Sequence, residues 1–394
     1  MRRISRKLAD RSPVNVAFFV RDSEKWNMEG LYELLLRDPR FSPRLVVFPY
    51  RLLNDTPVLE DYERNLKFFR RIDSSAVGML LKNGWSKSMR ALRREFAADI
   101  VFYQQPWIQD QNLWEASRWS WNVYTHYAYT VNYAPKIQYF KDNFHEFLHI
   151  YFCQSETHRR IHIEARPEHA DKLDVAGYPK FDGVRKTFSP LLKKSDDGQT
   201  RLVIYAPHHS IGRNNSFRLS TFDWNRLEIF ALAKAHKEIN WIYRPHPTLK
   251  YAVENCGLMS TSDYMRYESQ WTNLPNARVS HGGNYMEMFF SSHALITDCG
   301  SFLGEYMLTG RPLIRLISRN DPVKPNEVGE RIDAACYRVH SIEELEAVFQ
   351  QVVIHGDDPL RDRRLELRDA LFPLEQDSAQ EIVNALLRRF RNGS

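Results

Sequence analysis

The chain has 394 residues, room for two domains with sizeable cores, and its 43% hydrophobic and 26% charged content is ordinary for globular proteins. Apolar runs such as Val16–Val20 are far too short to span a membrane, and Cys153, Cys256, Cys299 and Cys336 lack the spacing of a disulfide framework or zinc site. Lys plus Arg is 55 against 49 acids, a formal +6; part of the excess sits at the ends, in Arg2, Arg3, Arg6, Lys7, Arg11 and in Arg388, Arg389, Arg391. No extended basic stripe of the kind nucleic acid needs is present. The basic ends read as solvated tails or as patches for anionic lipid. No leader-like segment opens the sequence, which gives the expectation of a cytoplasmic protein, peripheral at the inner face of a membrane if the basic ends act there.

Along the chain, "VNVAFFV" (Val14–Val20) and "RLVVFPY" (Arg44–Tyr50) are predicted strands, with the helical "MEGLYELLLRD" (Met28–Asp38) between them. "ADIVFYQQP" (Ala98–Pro106), "NVYTHY" (Asn122–Tyr127), "HIYFCQS" (His149–Ser155) and "KLDVAGYPKFD" (Lys172–Asp182) continue the series. Strands separated by helix-length segments predict βα units and a mostly parallel sheet. The polar "GVRKTFSPLLKKSDDGQT" (Gly183–Thr200) reads as a linker. The pattern then restarts: strands at Arg201–Pro207, Asn240–Pro245, Ala277–Ser280, His293–Asp298 and Pro312–Leu316, with helices at Trp224–Glu238, Asn284–Ser292 and Gly300–Leu308. A last helix covers about Ser378 to Arg391. The expected layout is a Rossmann-like domain over 1–183, a linker over 184–200, a second Rossmann-like domain over 201–375, and a helix over 376–394 crossing back to the first domain. Two successive parallel α/β domains resemble the GT-B architecture, in which ligands bind in a cleft at the C-terminal strand ends.

Three segments place chemistry at such ends. In "SSHALITDCGSFLGEYMLTGRPLIRL" (Ser291–Leu316) an apolar strand ends in Asp298, Gly300 makes a turn, and Ser301 opens a helix. Amides at a helix N-terminus and a serine hydroxyl suit phosphate. Glu305, one turn further, can accept from a ribose diol, or it is a solvated residue on a capped helix. In "WIYRPHP" (Trp241–Pro247) two prolines hold Arg244 and His246 rigidly, as phosphate donors or as decoration of a stiff turn. "APHHSIGRNNS" (Ala206–Ser216) supplies His208, His209 and Arg213 after a strand. A metal at His208 and His209 is disfavoured there, since neighbours on an extended chain point opposite ways. "SHGGN" (Ser280–Asn284) lacks the P-loop lysine and reads as a turn near the base. The aromatic run Gln104–Tyr133 suits a sugar or fills a core.

These motifs resemble, in order, elements of the CDP-glycerol glycerophosphotransferase family of teichoic-acid and capsule polymer enzymes. Ile296–Ser301 is similar to that family's "ITDYSS", "LVIYAPHH" to its "ILYAPTWR", "IYRPHP" to its "R-x-HP", and "VAGYPKFD" to its "GYPRFD" turn. The resemblance implies transfer of a polyol phosphate, glycerol- or ribitol-phosphate in type, from a CDP-activated donor to a hydroxyl of a glycan or lipid-linked acceptor, with release of CMP. It implies His126 as catalytic base, from the family's "WHGT" motif, although Tyr127 stands here where that motif has glycine. His246 is the second catalytic candidate; Arg244, Ser301, Gly300, Asp298, His208 and Arg213 are candidates for the donor phosphates and Glu305 for the ribose. The chemistry requires no metal, and assistance by Mg²⁺ stays open. The alternative is a GT-B glycosyltransferase using a nucleotide sugar.

Overall fold

The computed structural model describes every residue except 1, 11, 50–58, 81–87, 107–114, 139–140, 197–199, 213–214, 282–284, 321, 376 and 392–394. It falls into two compact units: Met1–Ala128 with Pro135–Asp182 and Gln376–Ser394, and Tyr129–Ala134 with Gly183–Glu375.

The first unit holds β1 (Val14–Val20), β2 (Phe41–Val47), β3 (Val77–Gly78), β4 (Ile100–Tyr103), β5 (Trp121–Thr125), β6 (Ile150–Cys153) and β7 (Leu173–Val175). They pair in the order β3-β2-β1-β4-β5-β6-β7, every described pairing parallel. β1 is an almost unbroken apolar run because it is central and covered on both faces. Phe18 and Val20 pack with Leu31, Leu35, Ile382 and Leu386 on one side, whereas Ala17 and Phe19 pack with Met79, Leu92 and Tyr124 on the other. The helix Ser378–Arg391 belongs to this unit. The Asp182 carboxylate holds its start, accepting from the amides of Ser378 (2.9 Å) and Ala379 (2.8 Å).

At the basic ends several cations are paired with acids rather than left to solvent. Arg2–Ala9 is a helix anchored by buried Ile4; Arg3 and Lys7 pair with Asp99 at 2.8 and 2.6 Å, and Arg389 with Asp174 at 2.5 Å. The Ser5 hydroxyl donates to the Phe390 carbonyl at 2.6 Å. Composition counts these cations but cannot show which acids face them. Among the described residues no helix is long and apolar enough to cross a membrane.

The second unit holds β8 (Leu202–Ala206), β9 (Asn240–Tyr243), β10 (Ala277–Val279), β11 (Ala294–Thr297), β12 (Leu313–Leu316) and β13 (Tyr337–Val339), in the order β10-β9-β8-β11-β12-β13 and again parallel. An aromatic layer supports the sheet, with Tyr243 stacked on Trp271 at 5.1 Å. The segment expected as a linker over 184–200 is instead an α-helix, Val184–Asp196. Its turn formers hid an apolar spacing of four, Val184 to Phe188 to Leu192, which is a helical face. Phe188 packs on Phe290, and Arg185 donates to the Phe372 carbonyl at 2.6 Å.

Tyr129–Ala134, close after β5 in sequence, is part of the second unit. It crosses the helix Gly300–Met307, where Gly300 and Gly304 leave the space that Asn132 and Tyr129 occupy. The Val131 carbonyl accepts from the Asn326 amide at 2.9 Å and lies against Gly329, so a Cβ at 329 would overlap that oxygen. Because the obstacle is backbone, Gly329→Ala is expected to lose about 2 kcal/mol of stability by the cost of overpacking. Urea unfolding of the variant checks this; an unchanged midpoint would show that the segment is not seated there.

Candidate active site

In the second unit the strand order reverses between β8 and β11, the switch point at which open parallel sheets leave a crevice for ligands. The loops leaving β9, β8 and β11 therefore meet at one edge. They carry Arg244 and His246, then His208 and His209, then Asp298, Gly300 and Ser301. Arg213, expected among them, lies outside the described residues, as do 282–284 of the glycine-rich turn and 107–114 of the aromatic run.

Asp298 is buried, and its carboxylate is committed to the protein. It accepts from the His208 amide at 2.6 Å and from the Thr221 amide and hydroxyl at 2.6 and 2.7 Å. Burial pushes its acidity up to about 6 despite these donors. Asp298 thus ties two loops together rather than offering itself to a phosphate. Thr221, the partner missed in the sequence, stands immediately before the helix Phe222–Ala235, a capping position that could have drawn notice.

The helix Gly300–Met307 starts at the end of β11 and presents its first-turn amides there, with Ser301 half-buried beside Cys299 (Oγ to Sγ 3.5 Å). Burial raises the Cys299 thiol to about 11, so it stays protonated.

Arg244 is buried. It donates to Ser280 Oγ at 3.0 Å, and its guanidinium lies 5.1 Å from the centre of the Tyr285 ring. The Tyr285 hydroxyl in turn donates to the Glu305 carboxylate. Glu305 is only 1% exposed, which departs from both sequence readings, the solvated residue and the open ribose acceptor. Its carboxylate steadies Tyr285, which steadies Arg244. Tyr285 was legible only as part of a helix, because its ring partner and its acid lie far off in sequence.

His208, His209 and His246 are gathered in one cluster, with ring centres 4.3, 4.0 and 5.3 Å apart. The expectation that His208 and His209 diverge fails because β8 ends at Ala206 and the chain bends at His209. His208 Nδ1 contacts Ser210 Oγ at 2.7 Å and His246 Nδ1 contacts Thr248 Oγ1 at 2.9 Å. Burial and the two neighbouring imidazoles push His208 well below the usual histidine range, so it is neutral at pH 7.

In the first unit, His126 follows β5 and is buried. Its Nδ1 lies 2.8 Å from the Ala128 carbonyl, its ring is stacked with Tyr127 at 5.2 Å, and its carbonyl accepts from Asn27 Nδ2 at 2.8 Å. Burial lowers it to about 4, below the ordinary histidine range. It is therefore unprotonated at neutral pH.

Residues 126–319 match the family model of CDP-glycerol:poly(glycerophosphate) glycerophosphotransferases. That stretch, just under half of the chain, is similar to the family's domain. The match begins at His126 and includes Arg244, His246, Asp298, Ser301 and Glu305, so the resemblance seen in the separate motifs extends over one continuous region. No curated protein matches the sequence. Among solved structures, the wall teichoic acid polymerase TagF is 11% identical, with 99% of this chain and 97% of that one covered at a TM-score of 0.58. The UDP-GlcNAc 2-epimerase of Neisseria meningitidis bound to UDP-GlcNAc is 12% identical, with 95% and 100% covered at 0.58. That of Methanocaldococcus jannaschii, in complex with UDP-GlcNAc and UDP, is 11% identical, with 95% and 100% covered at 0.55. At such identities these neighbours show the fold alone, the GT-B architecture of two parallel-sheet α/β domains.

Proposed function

We propose that this protein transfers a polyol phosphate from a CDP-activated donor to a hydroxyl of a glycan or polymer acceptor, releasing CMP, in the synthesis of a bacterial surface polymer. The observation that carries the reading is the family match over 126–319, which encloses both histidines and the arginine proposed for the chemistry.

In the proposed reaction the acceptor oxygen bonds to the donor's distal phosphorus, and the bond from that phosphorus to the CMP oxygen breaks. The acceptor proton passes to His126. This histidine is neutral at pH 7, as a base must be. Arg244, held by Ser280 and Tyr285, would pair with diphosphate oxygens, and the amides at Gly300 and Ser301 would share the charge. His246 would stabilise the leaving phosphate.

Calorimetric titration of CDP, CMP, UDP and GDP tests the reading. CDP is expected to bind most tightly. Arg244→Lys, which keeps the charge but loses the planar fork, is expected to weaken it about 10- to 100-fold, the loss of one or two charged hydrogen bonds. A preference for UDP or GDP would sink the cytidine donor and move the protein to transfer of a sugar from a nucleotide sugar.

A further inference from the structure

The three imidazoles at the ends of β8 and β9 have a feature the transfer reaction does not demand. One ring nitrogen from each of His208, His209 and His246 lies within 4.8 Å of the other two.

The arrangement is held by backbone. β8 and β9 are adjacent, with Tyr205 opposite Tyr243, so their two following loops leave side by side. The His246 amide donates to the Pro207 carbonyl at 3.1 Å, which fastens one loop to the residue before His208. The His208 amide is fastened from the other side by Asp298 at 2.6 Å. Pro207, Pro245 and Pro247 fix φ around the cluster. Nδ1 of His208 and of His246 each meets a hydroxyl, Ser210 at 2.7 Å and Thr248 at 2.9 Å. Metal-binding histidines are characteristically oriented in this way, with the second ring nitrogen engaged by a neighbouring polar group.

From this geometry we infer that His208, His209 and His246 form a binding site for one divalent transition-metal ion of the zinc type. Three imidazole nitrogens with no carboxylate in the set suit Zn²⁺, Co²⁺ or Ni²⁺ and disfavour Mg²⁺ and Ca²⁺, which take oxygen ligands. Zinc–nitrogen bonds of about 2.0–2.1 Å in a tetrahedron set the nitrogens about 3.3 Å apart, so each ring moves inward by about an ångström or less. All three rings are half-buried, leaving an approach for a fourth ligand. The inference rests on the cluster and not on the nucleotide reading. Where both hold, an ion here would reach a diphosphate oxygen through its fourth position, and His246 would act on the leaving group through the ion.

The test is a titration of the chelator-stripped full chain with Co²⁺, with no nucleotide present, so that a failed cytidine reading leaves the result intact. One equivalent of Co²⁺ is expected to give the intense visible absorption of a tetrahedral site, bleached by Zn²⁺. His209→Ala is expected to weaken binding by at least about 100-fold, and His246→Gln likewise, with circular dichroism confirming that each variant is folded. The exposed thiol of Cys256 could capture cobalt by itself, so Cys256→Ser is the companion variant and should keep the band. Absence of a one-to-one band in the wild type, survival of the band in His209→Ala, or its loss in Cys256→Ser would each overturn the site.

Discussion

Replacing Asp298 by asparagine is expected to destabilise the second unit by about 3 kcal/mol and to weaken nucleotide binding with it. The two carboxylate oxygens divide their work: one accepts the His208 amide, the other the amide and hydroxyl of Thr221. An amide has only one acceptor oxygen. Whichever way it is turned, its NH₂ confronts a backbone N–H that cannot turn away, leaving a buried donor unsatisfied. Hydrogen bonds to a charged group contribute about 1.5–3 kcal/mol and an unsatisfied buried donor costs about 1–3 kcal/mol, so the near-isosteric change is far from neutral. Thr221→Val is the comparison: it keeps the Thr221 amide bond but removes the hydroxyl, which donates to Asp298 at 2.7 Å and accepts from Asn225 Nδ2 at 2.6 Å, so about 2 kcal/mol is expected. Denaturant unfolding of both variants decides the matter. Equal small losses would mean that Asp298 is not the latch between the loops after β8 and β11. Weaker CDP binding in Asp298→Asn without loss of stability would instead return it to direct contact with the ligand.

This latch marks the boundary of what the sequence shows. β1, β8, β9 and β11 are legible because central parallel strands are covered on both faces and must be apolar throughout. The residues after them could be placed at the ligand edge by the same logic, and His208, Arg244, His246 and Ser301 do stand there. Which atoms are spent internally could not be read. Asp298 and Glu305 are acids on candidate motifs in the sequence and buried, engaged groups in the structure. Their partners, Thr221 and Tyr285, are set by tertiary packing. Gly183–Thr200 was misread because glycine, serine and proline outweighed the apolar spacing that makes Val184–Asp196 a helix. Nor could pattern alone show that Tyr129–Ala134, close behind a strand of the first unit, is seated against Gly300, Gly304 and Gly329. The glycines show the need for space, but not what fills it.

Acid is expected to act unequally on the two units. In the first, buried His126 and His162 are lowered to about 4 and about 3 by loss of solvation. His162 Nε2 is also 2.9 Å from Nδ1 of buried His169, itself lowered to about 4, and His145 alongside is pushed well below the usual range. In the unfolded chain a histidine takes its proton near pH 6.5. Between that value and the folded values, the unfolded state binds protons that the native state refuses, so stability falls as pH falls. At pH 5 the deficit is about 2 kcal/mol for each of His126 and His162, and about 4 kcal/mol together. Asp298 in the second unit has the opposite sign. Its raised value of about 6 lets the native state take a proton before the unfolded chain does, a gain of about 1.4 kcal/mol at pH 5 that offsets part of what neutral His208 loses there. Hydrogen exchange at pH 7 and pH 5, after correction for intrinsic rates, should therefore show protection lost first in β4, β5 and β6. His162→Gln should remove its own share of that acid sensitivity, about 2 kcal/mol at pH 5, while His126, His145 and His169 keep theirs. Uniform loss across both sheets would mean that the buried histidines of the first unit are protonated in the folded state.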